Sequence, residues 1–143
     1  MKDTNMHPIK DNYRFGVLFD GSAISIKVLE KTLSIMANGD RLTAITVVEP
    51  GINKDTVEDK VLEICSRRAN FDTVVLHRRA NQEIRDRIKD YLIEQSEDNM
   101  YVDFVCVGNR GLNVGNAAEG DNYLGRVAQA MIAMKRLNVI FVP

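Results

Sequence analysis

Apolar and polar positions along the chain alternate between two periods. Phe15, Val17, Leu18 and Phe19 form a short apolar run closed by Asp20, Gly21 and Ser22. Such a run, bounded by turn residues, predicts a strand buried on both faces. Ile26, Leu29, Leu33 and Met36 then recur at helical spacing. Ser22 is placed to cap that helix and Asn38-Gly39 to stop it. The β-branched run "LTAITVVEPG" predicts a second strand, ended by Pro50-Gly51. Val57, Val61, Ile64 and Cys65 share one face of a second helix. "FDTVVLH" predicts a third strand, and Ile84, Ile88, Tyr91 and Leu92 a third helix with a charged far side. "YVDFVCVG" predicts a fourth strand. Leu124, Val127, Ala128, Met131 and Met134 lie along a last helix, and "NVIFV" is a fifth strand before Pro143.

Strands that alternate with helices argue for an α/β domain with a parallel sheet covered on both faces and right-handed crossovers. One segment breaks the rhythm of short links. From Gly108 to about Asn122 no periodic pattern is visible, and a link of that length usually either carries a function or is mobile. The polar, aperiodic start over residues 1–12 reads as a flexible arm, leaving 13–143 as the domain.

Composition narrows the class. The 143 residues suffice for one core, 45% of them are apolar, and the formal net charge is −1. No basic footprint for nucleic acid is present. The pairs Arg67-Arg68 and Arg78-Arg79 read as solvated charge. Cys65 and Cys106 fall at apolar positions and read as small buried hydrophobes rather than a disulfide. Without a membrane-length apolar run or an apolar leader, the expectation is a soluble, cytoplasmic protein with no membrane partner.

Candidate chemistry lies at two strand ends, Asp20-Gly21-Ser22 and Gly108-Asn109-Arg110-Gly111. In an open parallel sheet, ligands bind beyond the carboxyl ends of the strands, where strand order reverses. Glycines let backbone N–H groups approach an anion, and a helix N-terminus adds a favourable dipole. A glycine after a strand is more often a plain tight turn. Asp20 reads equally as a cap of the next helix or as a ligand residue, and Ser22 as a cap rather than a nucleophile. His7 falls in the arm, and His77 reads as a rim residue at the end of the third strand. No zinc cluster or Walker lysine is present.

Taken together, "VLFDGSAISIKVLEKTL", "DFVCVGNRG" and "LGRVAQAMIAMKRLNVIFVP" resemble the universal stress protein family, over about Phe15 to Pro143. The resemblance implies a five-stranded sheet in the order 3-2-1-4-5, of the adenine nucleotide alpha hydrolase type. It implies a homodimer through the last strand and an ATP or AMP site between strands one and four. Carried over by position, Asp20 would contact the adenosine part, with Ser22 beside it, and Val47 would lie against adenine. Gly108, Gly111 and Gly125 would wrap ribose and phosphates, with Arg126 and Val127 following. A regulatory binding protein acting through a partner is the function implied, rather than an enzyme.

Two departures from the family motif stand out. Thirteen residues, Leu112 to Leu124, separate Gly111 from Gly125, four more than the nine of the motif. Arg126 stands where the motif has serine or threonine, whose hydroxyl would donate to a phosphate at no steric cost. Arg126 either reaches the phosphates as a charged fork, or points into solvent, or fills the phosphate space, paired with Glu119 or Asp121. A carboxylate in contact with a triphosphate costs roughly 1 kcal/mol in high dielectric, unless magnesium lies between them. The alternative is therefore an interaction module without nucleotide, in which residues 108–126 have become a partner surface. A weak ATPase or self-phosphorylating protein ranks last, since no base beyond Asp20 or a loop acid is in evidence.

Overall fold

The computed structural model describes residues 12–49, 52–98, 101–108, 131 and 137–143. The elements are β1 (Arg14–Leu18), α1 (Ala23–Ile35), β2 (Arg41–Val47), α2 (Lys54–Cys65), β3 (Asn70–Leu76), α3 (Ile84–Glu97), β4 (Phe104–Gly108) and β5 (Asn138–Val142). The five strands form one parallel sheet in the order β3-β2-β1-β4-β5.

That order decides where the helices go. The steps β1 to β2 to β3 run the same way across the sheet. Right-handed crossovers therefore put α1 and α2 on one face. The chain then returns past β1 to β4, which carries α3 to the opposite face. Two cores result. Phe15, Val17, Leu42 and Ala44 pack with Val28 and Leu29 of α1 and Val61, Ile64 and Cys65 of α2. Ile45, Val47, Val105 and Val107 pack with Ile88, Tyr91 and Leu92 of α3 and with Met131. Met131 is helical and fully buried, as its place in the apolar pattern requires. Successive residues of a strand point to opposite faces, so β2 supplies Leu42 and Ala44 to one core and Ile45 and Val47 to the other.

The ends of the elements follow local chemistry. Ser22 caps α1, its Oγ accepting from the Ser25 N–H at 3.2 Å. Asn53 caps α2 in the same way, Oδ1 accepting from the Thr56 N–H at 3.1 Å. α1 stops at Ile35, ahead of the expected Asn38-Gly39, and Gly39 turns the chain at φ +91°. The strand expected to include His77 ends at Leu76. Cys65 and Cys106 are buried free thiols, as their apolar settings suggest. The arginine pairs are only partly as expected. All four arginines are exposed, but Arg68 is paired with Glu30 at 2.5 Å and Arg78 with Glu49 at 2.7 Å. No described helix is long and apolar enough to cross a membrane.

Candidate functional site

β1 leaves the sheet at its carboxyl end. The Phe19 N–H still donates to Ile45 O at 2.8 Å, but the next carbonyl, that of Phe19, accepts from the Thr46 hydroxyl at 2.7 Å. The chain then turns through Asp20-Gly21-Ser22. Gly21 takes φ +85°, a backbone angle that side chains rarely adopt. A Cβ there would meet Val57 Cγ2 at an ordinary 3.7 Å, so the angle rather than the space calls for glycine. Asp20 Oδ1 accepts from the Ser22 N–H at 2.9 Å and fixes the turn as an Asx-turn. Ser25 is buried, and its hydroxyl donates to Ser22 O at 3.0 Å. The turn is thus rigid, and Asp20 remains half-exposed at its apex.

Both readings of Asp20 meet here. It shapes the entry to α1, yet the true cap is Ser22, and among the described residues nothing else partners the Asp20 carboxylate. Ser22 is engaged as a cap through its accepting oxygen.

The strand registers set the remaining candidates around this turn. β1 pairs Leu18 with Ile45, so Asp20 is level with Val47 at the end of β2. β1 pairs Val17 with Cys106, so Gly108 is level with Phe19, one residue short of Asp20. Asp20, Val47 and Gly108 therefore lie at the carboxyl ends of three adjacent strands. Val47 has a buried side chain on the α3 face. Its main chain is more telling. The Ile45 carbonyl faces β1, and Val48 donates to Leu76 of β3. The alternation along a parallel strand thus turns the Val47 N–H and C=O toward β1, where β1 has already left the sheet. A donor and an acceptor side by side suit the edge of a purine. Gly111, Gly125, Arg126 and Val127 lie outside the described residues, as do Glu119, Asp121, His7 and the rest of residues 1–11.

Two clefts open at this end of the molecule. One, of about 710 Å³, lies between the Asp20-Gly21 turn and α2, where Asp59, Lys60 and Glu63 line it. Lys60 is paired with Glu63 at 3.0 Å, so this cleft is net acidic and unsuited to phosphates. The other cleft, of about 490 Å³, lies beyond β2 and β3 and is lined by Glu49 and by His77, Arg78 and Arg79. Sequence reasoning missed it. The signal was present in "HRRANQ" directly after a strand, which placed cations at the ligand-binding end of a parallel sheet. His77 itself is an exposed rim residue, as expected. Among the described residues no group of three or more His, Cys, Asp or Glu side chains could hold a metal ion.

Solved structures with this arrangement are known. Over 92% of this chain and 97% of its own, the universal stress protein UspA from Lactobacillus plantarum superposes with a TM-score of 0.62 at 15% identity. A universal stress protein from Archaeoglobus fulgidus superposes with a TM-score of 0.58 at 17% identity, over 94% of this chain and 95% of its own. This chain has the fold of the universal stress proteins. No protein-family model matches the sequence, and no curated protein matches it. The likeness therefore rests on the fold of the backbone rather than on identity of side chains.

Proposed function

We propose that the chain is a universal-stress-type binding protein that takes an adenine nucleotide, ATP or AMP, across the carboxyl ends of β2, β1 and β4. The observation that carries this reading is the meeting of Asp20, the Val47 main chain and Gly108 at the point where strand order reverses. In it the adenine edge pairs with the Val47 N–H and C=O, and Asp20 accepts from the adenosine part. Phosphates run toward Gly108 and the glycines that follow it in sequence, with Gly111, Gly125, Arg126 and Val127 in contact. Magnesium accompanies the phosphates where Glu119 or Asp121 approaches them. The protein acts in the cytoplasm as a homodimer through β5 and signals by occupancy rather than by turnover.

The test is thermal melting of the purified chain with and without ATP, AMP and magnesium, with mass spectrometry of any nucleotide that co-purifies. A ligand at 100 times its dissociation constant adds about 2.7 kcal/mol to stability, which raises the melting point by several degrees in a domain of this size. The shift is expected to vanish in Gly111→Val and to shrink in Asp20→Ala. An absence of both shift and co-purified nucleotide would reject the reading. It would favour the alternative, for which the long 108–126 segment and Arg126 speak: a protein partner docks there and no nucleotide binds.

A further inference from the structure

We propose that the 490 Å³ cleft at the carboxyl ends of β2 and β3 binds an oxyanion group, a carboxylate or a phosphoryl, with Arg79 as its principal holder and His77 beside it. None of the cleft's lining residues belongs to the nucleotide site proposed above, although Val48 directly follows Val47. Its volume falls within the range of small-ligand sites, and it sits at the ligand-binding end of the sheet.

The loop that forms it is built from one residue outward. Gln82 Oε1 accepts from the Arg79 N–H at 3.1 Å, and the Gln82 N–H donates to Arg79 O at 3.0 Å. Gln82 O accepts from Arg78 Nη1 at 2.9 Å, and Gln82 Nε2 donates to Asp90 of α3 at 3.0 Å. Arg87 Nε donates to His77 O at 2.9 Å, which ties the start of the loop to the same helix. Asn81 closes the turn at φ +65°, a conformation that asparagine tolerates better than most residues. The six residues from His77 to Gln82 are thereby held without using the side chain of Arg79.

Charge then separates the two arginines. Arg78 spends its guanidinium on Glu49 and on Gln82 O, so it serves as a wall. Arg79 is exposed and has no acidic partner among the described residues. A guanidinium on a fixed loop, facing a cleft with one neutralised acid, presents a planar fork that matches a carboxylate or phosphoryl oxygen pair. His77 lines the same cleft and adds a ring N–H donor.

The experiment is a titration of the full chain followed by amide chemical shifts. Sodium phosphate and sodium acetate are added in separate series, with ionic strength held constant by sodium chloride. Saturable shifts confined to residues 48–49 and 77–82 are expected in at least one series, with an apparent affinity in the millimolar range. The series that saturates identifies the oxyanion class. Arg79→Gln keeps the backbone bonds of the loop and is expected to weaken binding by about tenfold, the loss of one charge-assisted fork. Arg85→Gln, which removes a cation of α3 that is paired with Glu83 and does not line the cleft, is expected to leave it unchanged. Shifts that never saturate, that survive Arg79→Gln, or that weaken equally in Arg85→Gln would overturn the proposal. The melting shift with ATP is read in Arg79→Gln as well. Its persistence is expected, so failure of the nucleotide reading and failure of this one give different results.

Discussion

Burial acts on single groups most plainly at the two thiols. Cys65 ends α2 with no surface in contact with solvent, and burial pushes its thiol from 9.0 up to about 11, against a small opposing pull from Arg68. Cys106 in β4 is also raised by burial, with a hydrogen bond to Thr32 working the other way. A raised thiol means that the folded chain holds its proton longer than the unfolded one. Below about pH 9 both states carry the proton and the thiols add no pH dependence to stability. From about pH 9 toward 11 the unfolded chain loses its protons first, so stability is expected to fall as pH rises. Tyr91, raised chiefly by burial and then by Asp72, pushes the same way above pH 10. Urea melts at stepped pH read the decline. Iodoacetamide at pH 8 reads accessibility, with neither cysteine expected to react until urea unfolds the chain. Alkylation of either thiol in native buffer at the rate seen in urea would contradict this account.

Elements are joined by a buried acid that the apolar pattern does not reveal. Asp40 is 5% exposed and precedes β2. Its Oδ1 accepts from the Tyr13 N–H at 2.9 Å, and its Oδ2 from the Ala37 N–H at 2.8 Å. One side chain therefore holds the entry to β1 and the turn after α1 together. Asp40→Ala leaves two N–H groups without acceptors and is expected to cost about 2–3 kcal/mol in urea unfolding. Asp40→Asn is expected to recover only part of that, since its amide turns a donor toward one of the two N–H groups. Full stability in both variants would show that water replaces the carboxylate. The alternation of strands and helices was legible because parallel strands are buried on both faces and read as continuous apolar runs, while each helix shows one stripe. Leu29, Val57, Val61, Ile88 and Leu92 lie where such stripes put the core, but in α1 the stripe residues Ile26, Leu33 and Met36 are only half-buried and Ser25, Val28 and Thr32 take the inner positions. Asp40 was not legible, because its value comes from Tyr13, 27 residues away, and no local period marks such a bond. The cleft after β3 escaped for a related reason. "HRRANQ" reads locally as solvated charge, and only the folded sheet shows that it stands beside Glu49.

For the whole molecule, strand order is the property that periodicity could not supply, because five apolar runs carry no mark of which neighbours which. The order 3-2-1-4-5 came from the family resemblance, and the observed sheet has it. The same resemblance picked out Asp20, Val47 and Gly108, and the registers bring those three together. That order also leaves β5 at an edge of the sheet, paired with β4 alone among the described strands. An edge strand presents a row of backbone donors and acceptors to any second chain. "NVIFV" holds neither charge nor proline, two of the usual deterrents, and Val139, Ile140 and Phe141 are each half-buried in the single chain. Pairing with a second copy would bury the rest of these side chains and satisfy the open edge. Ile140→Asp is therefore expected to convert a dimer into monomers, read as a halved mass in sedimentation equilibrium. Ile140 also packs in part against the α1 face, so the variant must still melt cooperatively with native sheet content for that result to count. A mass unchanged by the substitution in a folded variant would place the contact elsewhere, and a wild-type chain that sediments as a monomer would remove β5 as an interface altogether.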